Sequence, residues 1–269
     1  MRKIIYYTLL ILFIIVFLVS GIFIVNYLVT SKEQSDFYDG LASIRQENQE
    51  SRPPIGSGNT DNSDDADPDA STDPTEPQIL AEFQPLYEMN SDLVGWIEIP
   101  GTKVNYPVVQ TTPDNRDFYL HRNFQKEKAS GGCLYVREEC DVFAPSDNVT
   151  IYGHNMRDGS MFGQFYYYQE EDYYQDHRYI YFDTLYERHT YEIFAVFKTT
   201  ASVGEGFKYH MFIDAMDEEE YYEFVDECME LSFYSTGVVP QYGDKIICLS
   251  TCEYSLVNGR LVVAAVRID

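Results

Sequence analysis

Basic residues are scarce in this chain of 269 residues: 19 Lys and Arg stand against 44 Asp and Glu, a formal net charge of −25. That balance argues against sequence-independent nucleic-acid binding, which relies on cations to neutralise phosphates. It argues equally against a polybasic membrane-surface patch. No glycine-rich, phosphate-cradling loop and no internal repeat occur, so a nucleotide site and a repeat architecture lack sequence support. The five cysteines contain no C-x-x-C, and no histidine stands near Cys133 or Cys140, which leaves a structural zinc site without a ligand set. Charge is missing altogether from Ile4 to Val29.

That uncharged run is almost wholly apolar and long enough to cross a hydrocarbon core of ~30 Å as a helix. It exceeds the ~7 to 15 residues of a signal-peptide apolar region and lacks an A-x-A-like cleavage site. The expectation is therefore an uncleaved signal anchor over 4–29. Arg2 and Lys3 precede it, which places residues 1–3 in the cytoplasm and the rest of the chain outside. Residues 30–50 form a polar juxtamembrane segment with sparse apolar positions, open to a short amphipathic helix or to no fixed structure. Residues 51–77 are rich in Pro, Asp, Ser and Thr, too poor in apolar surface to offset their ordering entropy, and read as an acidic linker. Residues 78–269 have a globular, aromatic-rich composition and form the expected catalytic domain.

Within that domain the spacing predicts a leading helix over Ile79–Met89. Eight strand-like runs follow, at Trp96–Ile99, Val104–Val109, Gly132–Val136, Asn148–Tyr152, Ile180–Phe182, Thr190–Thr199, Lys245–Cys252 and Leu261–Ile268, divided by Pro, Gly, Asn and Asp. Between the sixth and seventh, Asp214–Phe233 carries Tyr221, Phe224, Val225, Cys228 and Leu231 at helical spacing, with Asp217 and Glu220 as a helix-start pair. The expectation is a mainly β domain, a barrel or sandwich, with a helix inserted before its last two strands.

An odd number of cysteines leaves at least one thiol to account for. Cys133 and Cys140 are open to a disulfide or to two free thiols. Cys228 and Cys248 fall on apolar stripes as small core residues. Cys252 ends an apolar strand where strand becomes loop, and Arg260 opens the next strand after the Asn258-Gly259 turn signal. Antiparallel pairing would bring these two to neighbouring strand ends, with Cys252, Ser250 and Cys248 on one face and Arg260, Val262 and Ala264 on the corresponding face. The alternative is an Arg260–Glu253 pair at the hairpin end, and spacing alone leaves both open. Of His121, His154, His177, His189 and His210, only His154 follows an apolar strand and a glycine, a position from which a ring can emerge beside a thiol.

Asn148-Val-Thr-Ile-Tyr-Gly-His154-Asn-Met, Leu249-Ser-Thr-Cys252 and Gly259-Arg260-Leu-Val-Val, in that order, resemble the signature segments of sortases. Val94-Gly-Trp-Ile-Glu-Ile-Pro-Gly-Thr-Lys-Val-Asn-Tyr-Pro-Val-Val-Gln110 is similar to the family's opening strands, so the likeness runs from about Leu86 to the carboxyl terminus. The leading helix and the long helix-bearing insert between His154 and Cys252 resemble class B. The resemblance implies an eight-stranded sortase β-barrel with Cys252 as nucleophile, His154 as general acid/base and Arg260 bound to substrate or oxyanion. It further implies that Ser250 and Glu253 contact the sorting peptide, with Asn115 and Leu120 lining the groove across a spacing one residue longer than the family pattern.

The implied activity is a membrane-anchored cysteine transpeptidase. It would cleave a sorting motif near the carboxyl terminus of a surface protein through a thioacyl-enzyme and transfer that protein to a peptidoglycan amine, without cofactor or metal. Its expected partners are those surface proteins, the peptidoglycan precursor and the membrane, with no nucleic acid. Three alternatives are a pilin-polymerising sortase that uses a Lys acceptor, a non-catalytic surface scaffold, and a papain-like wall hydrolase.

Overall fold

The structure, a computed structural model, describes residues 2–49 and 77–269. The expected linker falls at 51–77, and all of it but residue 77 lies outside the described residues. Two compact units are present, Met1–Gly40 and Leu41–Asp269. Helix α1 spans Arg2–Asn48, so helix continues through nearly all of the segment left open between helix and coil. In the second unit α1 contributes Leu41 and Arg45, which are 2% and 3% exposed.

Helix α2 covers Gln84–Met89, shorter than the expected Ile79–Met89. Proline in its first turn sets the start, because Pro85 has no N–H to offer a preceding turn and restricts the residue before it. The strands are β1 (Leu93–Glu98), β2 (Asn105–Gln110), β3 (Leu134–Val136), β4 (Asn148–Tyr152), β5 (Tyr179–Thr184), β6 (Thr190–Thr200), β7 (Ile246–Glu253) and β8 (Gly259–Arg267). They close into a barrel in the order β1-β2-β3-β4-β7-β8-β6-β5, which leaves no unpaired edge. The pairs β2–β3 and β4–β7 are parallel and the others antiparallel. All eight runs read from the sequence are strands. Between β4 and β5 lie a 3-10 stretch at Gly163–Gln169 and helix α3 (Glu171–Asp176), neither of which has a clear periodic signal.

The inserted helix is α4 (Glu218–Leu231). Asp217 caps it by accepting from the Glu220 amide at 3.0 Å, while the Glu220 carboxylate reaches back to the Met216 amide at 2.8 Å. Three acidic residues in the first turn complement the positive end of the helix dipole. Its buried stripe of Tyr221, Phe224, Val225 and Cys228 packs on the barrel face carrying Ile246, Cys248, Val262, Ala264 and Val266. Two apolar faces on one strand require this arrangement: one face of β7 and β8 fills the barrel, and the other needs α4 to cover it.

Arg45 of α1 also belongs to a buried charge cluster. Arg45 bonds Asp183 at 2.8 Å and Glu98 at 3.1 Å, and its guanidinium lies 5.3 Å from the Trp96 ring centroid. Asp183 is fully buried, so its carboxylate needs charged or hydrogen-bonding partners to offset the loss of water.

Phe224 is 4% exposed and stacks on Phe212 with ring centroids 4.1 Å apart. Phe224→Ala is expected to lower unfolding stability by about 3 to 5 kcal/mol in a urea titration. The exposed neighbour Glu223→Ala should stay within about 0.5 kcal/mol of the parent. Equal losses at both positions would contradict the packing of α4 on the barrel.

Candidate active site

The site is assembled where three adjoining strands end. In β4–β7, Tyr152 pairs with Ser250. Beyond that pair the Gly153 amide donates to the Ser250 carbonyl at 3.0 Å, and the Thr251 hydroxyl donates to the Gly153 carbonyl at 2.7 Å. The Asn155 side-chain amide donates to the Cys252 carbonyl at 2.9 Å. The two strand ends are therefore laced together on both sides of His154. Gly153 is required by close approach: a Cβ there would stand 2.5 Å from Leu134 Cδ2 and 2.6 Å from Phe162 Cδ2.

In β7–β8, Cys252 pairs directly with Arg260, and Ser250 with Val262. By strand alternation Cys252, Ser250 and Arg260 share the α4-covered face and emerge at its end, past the helix. His154, Cys252, Arg260, Ser250 and Leu120 all line one cleft of about 440 Å³.

The two readings of Arg260 are separated by its partners. Arg260 Nη1 donates to the carbonyls of Gly259 at 2.9 Å and Asn258 at 3.3 Å. Glu253 instead pairs with Lys198 at 3.2 Å and accepts from the Ser255 amide, the Ser255 hydroxyl and the Leu256 amide, closing the loop after β7. Burial works to raise the Glu253 carboxyl, but these donors hold it below its ordinary value. Glu253 is not among the residues lining the cleft. Asn115 closes an exposed 3-10 turn, Pro113–Asn115, and borders a separate depression together with Phe118 and Lys126.

None of the five cysteines forms a disulfide, and Cys252 alone is not buried. Cys133 Sγ lies 3.7 Å from the Pro107 carbonyl and Cys140 Sγ 3.5 Å from the Asn148 carbonyl, so the two thiols address different strands. Burial pushes the Cys140 thiol up to about 11 and raises Cys228 and Cys248 well above the ordinary range. Those three are poor nucleophiles where they stand. Among the described residues no group of three or more His, Cys, Asp or Glu is placed to hold a metal ion.

Several cleft residues carried no sequence signal. Tyr209, from the long connection between β6 and α4, is buried and shares a 2.5 Å hydrogen bond with the Ser250 hydroxyl. Its neighbour His210 lines the cleft, where burial first, then Arg137, Lys208 and Arg260, depress its basicity. Arg137 and Tyr152 add to the floor, with Arg137 held by Glu139 at 2.9 Å. Against a chain-wide excess of acid, the cleft gathers Arg116, Arg137 and Arg260 beside only Asp117 and Glu138. His177 and His189 serve elsewhere, the first on the Pro100 carbonyl at 2.9 Å and the second between Glu187 and Asp269.

Comparison with known proteins agrees with this geometry. A sequence profile of the sortase domain matches residues 97–268. Sortase B of Staphylococcus aureus is 32% identical over 189 residues, 70% of this chain and 75% of the relative. Sortase B of Listeria monocytogenes is 32% identical over 197 residues, 72% of this chain and 77% of the relative. The solved Staphylococcus aureus sortase B-substrate complex superposes with a TM-score of 0.72 at 27% identity, covering 90% of this chain and 99% of that one. With the domain matched, the relatives covered over most of their length and the closed barrel shared, the chain belongs to the sortase family and is a cysteine transpeptidase of the sortase B class.

Proposed function

We propose that this transpeptidase works at the outer surface of a membrane, held there by Ile4–Val29 with residues 1–3 on the cytoplasmic side. In support, an 18-residue window of the helix Lys3–Asn48 has a mean hydropathy of 3.2 and none of that window is buried, and Arg2 and Lys3 lie at the amino-terminal end of helix α1. Its substrates are surface proteins with a sorting motif near the carboxyl terminus, and its acceptor is an amine on a peptidoglycan precursor.

One observation carries the chemical assignment: the only thiol of five that is not buried pairs with Arg260 and shares its cleft with His154. Cys252 gives its proton to His154 and attacks the motif's scissile carbonyl as thiolate. Arg260 stabilises the tetrahedral oxyanion. Its guanidinium is anchored through Nη1 on two backbone carbonyls, so a fixed positive charge is in place before the oxyanion forms. His154 then protonates the departing amine as the carbon–nitrogen bond breaks, leaving a thioester on Cys252. The acceptor amine attacks that thioester and releases the thiol. Ser250 and Leu120 contribute to the peptide groove from within the cleft, and the Tyr209 hydrogen bond holds the Ser250 hydroxyl in place. Glu253 shapes the rim by closing the loop between the nucleophile and Arg260.

Arg260→Lys keeps the charge but loses the planar fork, and is expected to lower kcat/KM about 100-fold or more on a quenched peptide that the parent enzyme cleaves. A change within about 3-fold would remove Arg260 from the oxyanion role. The acceptor assignment is read by product analysis with a purified surface-protein substrate. An amide to an added peptidoglycan precursor is expected. A ladder of joined substrate subunits formed without any wall acceptor would replace it with polymerisation through a Lys amine.

A further inference from the structure

His154 Nε2 stands 2.7 Å from the main-chain carbonyl oxygen of Leu120. A carbonyl oxygen only accepts, so this nitrogen carries the hydrogen and donates it. A neutral imidazole has one N–H, which leaves Nδ1 with the lone pair. The geometry points to the Leu120 carbonyl as a positioning group that fixes His154 as the Nε2–H tautomer and assigns all proton exchange with Cys252 and the amines to Nδ1. The inference rests on His154 being the acid/base.

The carbonyl is built to stay where it is. Leu120 lies in a 3-10 turn, Phe118–His121, and its own amide donates to the Asp117 carbonyl at 3.1 Å. On either side, the Tyr119 carbonyl receives the Cys133 amide and the His121 carbonyl receives the Ala129 amide, each at 3.1 Å. Tyr119 is fully buried, and its hydroxyl is tied to Asn90 at 2.7 Å and Asp92 at 2.8 Å. Gly132 closes the loop beneath with φ +59°, and a Cβ there would fall 2.5 Å from the Tyr119 oxygen and 2.7 Å from the Leu120 oxygen. Only glycine leaves both carbonyls in place. The His121 ring stacks on His154 at 5.8 Å and 22°, adding a flat wall to the ring's position. Flipping the ring would set Cε1 against the carbonyl and lose the hydrogen bond.

The proton path then balances without an outside reagent. Nδ1 takes the Sγ proton of Cys252, forming imidazolium and thiolate. As the substrate carbon–nitrogen bond breaks, the Nδ1 proton passes to the leaving amine and the thioester remains. In the second half, Nδ1 takes a proton from the attacking amine as its nitrogen–carbon bond forms. It returns that proton to Sγ as the carbon–sulfur bond breaks. The hydrogen stays on Nε2, donated to the Leu120 carbonyl throughout, and that oxygen's partial negative charge faces the imidazolium when it forms. Leu120 thus lines the cleft while its carbonyl orients the base.

The test is a two-bond proton–nitrogen correlation spectrum of the full chain in detergent micelles, with histidine nitrogens labelled and His154 assigned by loss of its signals in His154→Gln. At a pH where the ring is neutral, the expected pattern has a protonated Nε2 and an unprotonated Nδ1. The reverse pattern, or an even mixture, overturns the assignment. As a second arm, Gly132→Ala pushes on the Leu120 carbonyl from outside the cleft. On a quenched peptide selected from a library by the parent enzyme, it should reduce kcat about 10- to 100-fold with KM within about 2-fold, and shift the His154 tautomer pattern. Unchanged kcat and an unchanged pattern in a folded Gly132→Ala overturn the proposal; should that variant not fold, the spectrum of the parent chain decides alone. His154→Gln separates the two levels: retained activity removes His154 as acid/base, whereas lost activity together with an Nδ1–H parent spectrum rejects only the Leu120 role.

Discussion

The hydrogen-bond ladder joining β4, β7 and β8 is the constraint on which the site depends. Parallel pairing sets Tyr152 against Ser250, and antiparallel pairing sets Cys252 against Arg260. Side chains alternate along a strand, so a slip of one residue in either pairing would turn the thiol or the guanidinium to the barrel interior. The slip is opposed twice over. Inward residues such as Ile247, Leu249, Val263 and Ala265 are fully buried, and outward ones such as Cys248, Val262 and Ala264 are covered by α4. The register that places Cys252 beside Arg260 is therefore enforced by core packing on both faces of the sheet, away from the cleft itself.

That arrangement explains why a helix inserted just before the last two strands matters to chemistry. Helix α4 covers the outer face only as far as Cys248 and Val262, and the face then opens as a cleft. Tyr209 stands at the boundary, packed with the α4 layer on one side and bonded to Ser250 on the other. The cleft is also electrostatically distinct from the rest of the chain. In the proposed mechanism its arginines would meet a thiolate and an oxyanion, both negative, in a protein whose net charge is −25. A local cluster of fixed cations raises its own potential over a short range regardless of distant, screened carboxylates.

The strands and α4 were legible because each has one dominant signal: short apolar runs between turn residues, and a capped stripe at helical spacing. Cys252 and Arg260 were legible as neighbours because a hairpin converts a short separation in sequence into a register. Elsewhere that signal fails. Phe162 to Tyr174 is so rich in aromatics that no period marks its 3-10 turn or α3, and Pro85 shortens α2 from within an otherwise regular pattern. Tyr209 and His210 arrive from a long connection whose path no local pattern sets. Glu253 sits next to Cys252 in sequence, yet three donors from Ser255 and Leu256 turn its carboxylate into the loop. The Leu120 carbonyl is a main-chain group 34 positions from His154, and only the three-dimensional path of the Phe118–His121 turn brings the two together. Side-chain patterns carry little information about which backbone oxygen will face a catalytic ring.

The central claim, that Cys252 is the residue acylated during turnover, is tested most directly by trapping the intermediate. The full chain, mixed with a library-selected peptide it cleaves and quenched in acid within the first turnover, should carry the amino-terminal peptide fragment as an acid-stable thioester. Proteolytic mapping by mass spectrometry is predicted to place that mass on the peptide containing Cys252. Acylation at Cys133, Cys140, Cys228 or Cys248, or cleavage with no acylated enzyme at any quench time, would contradict it.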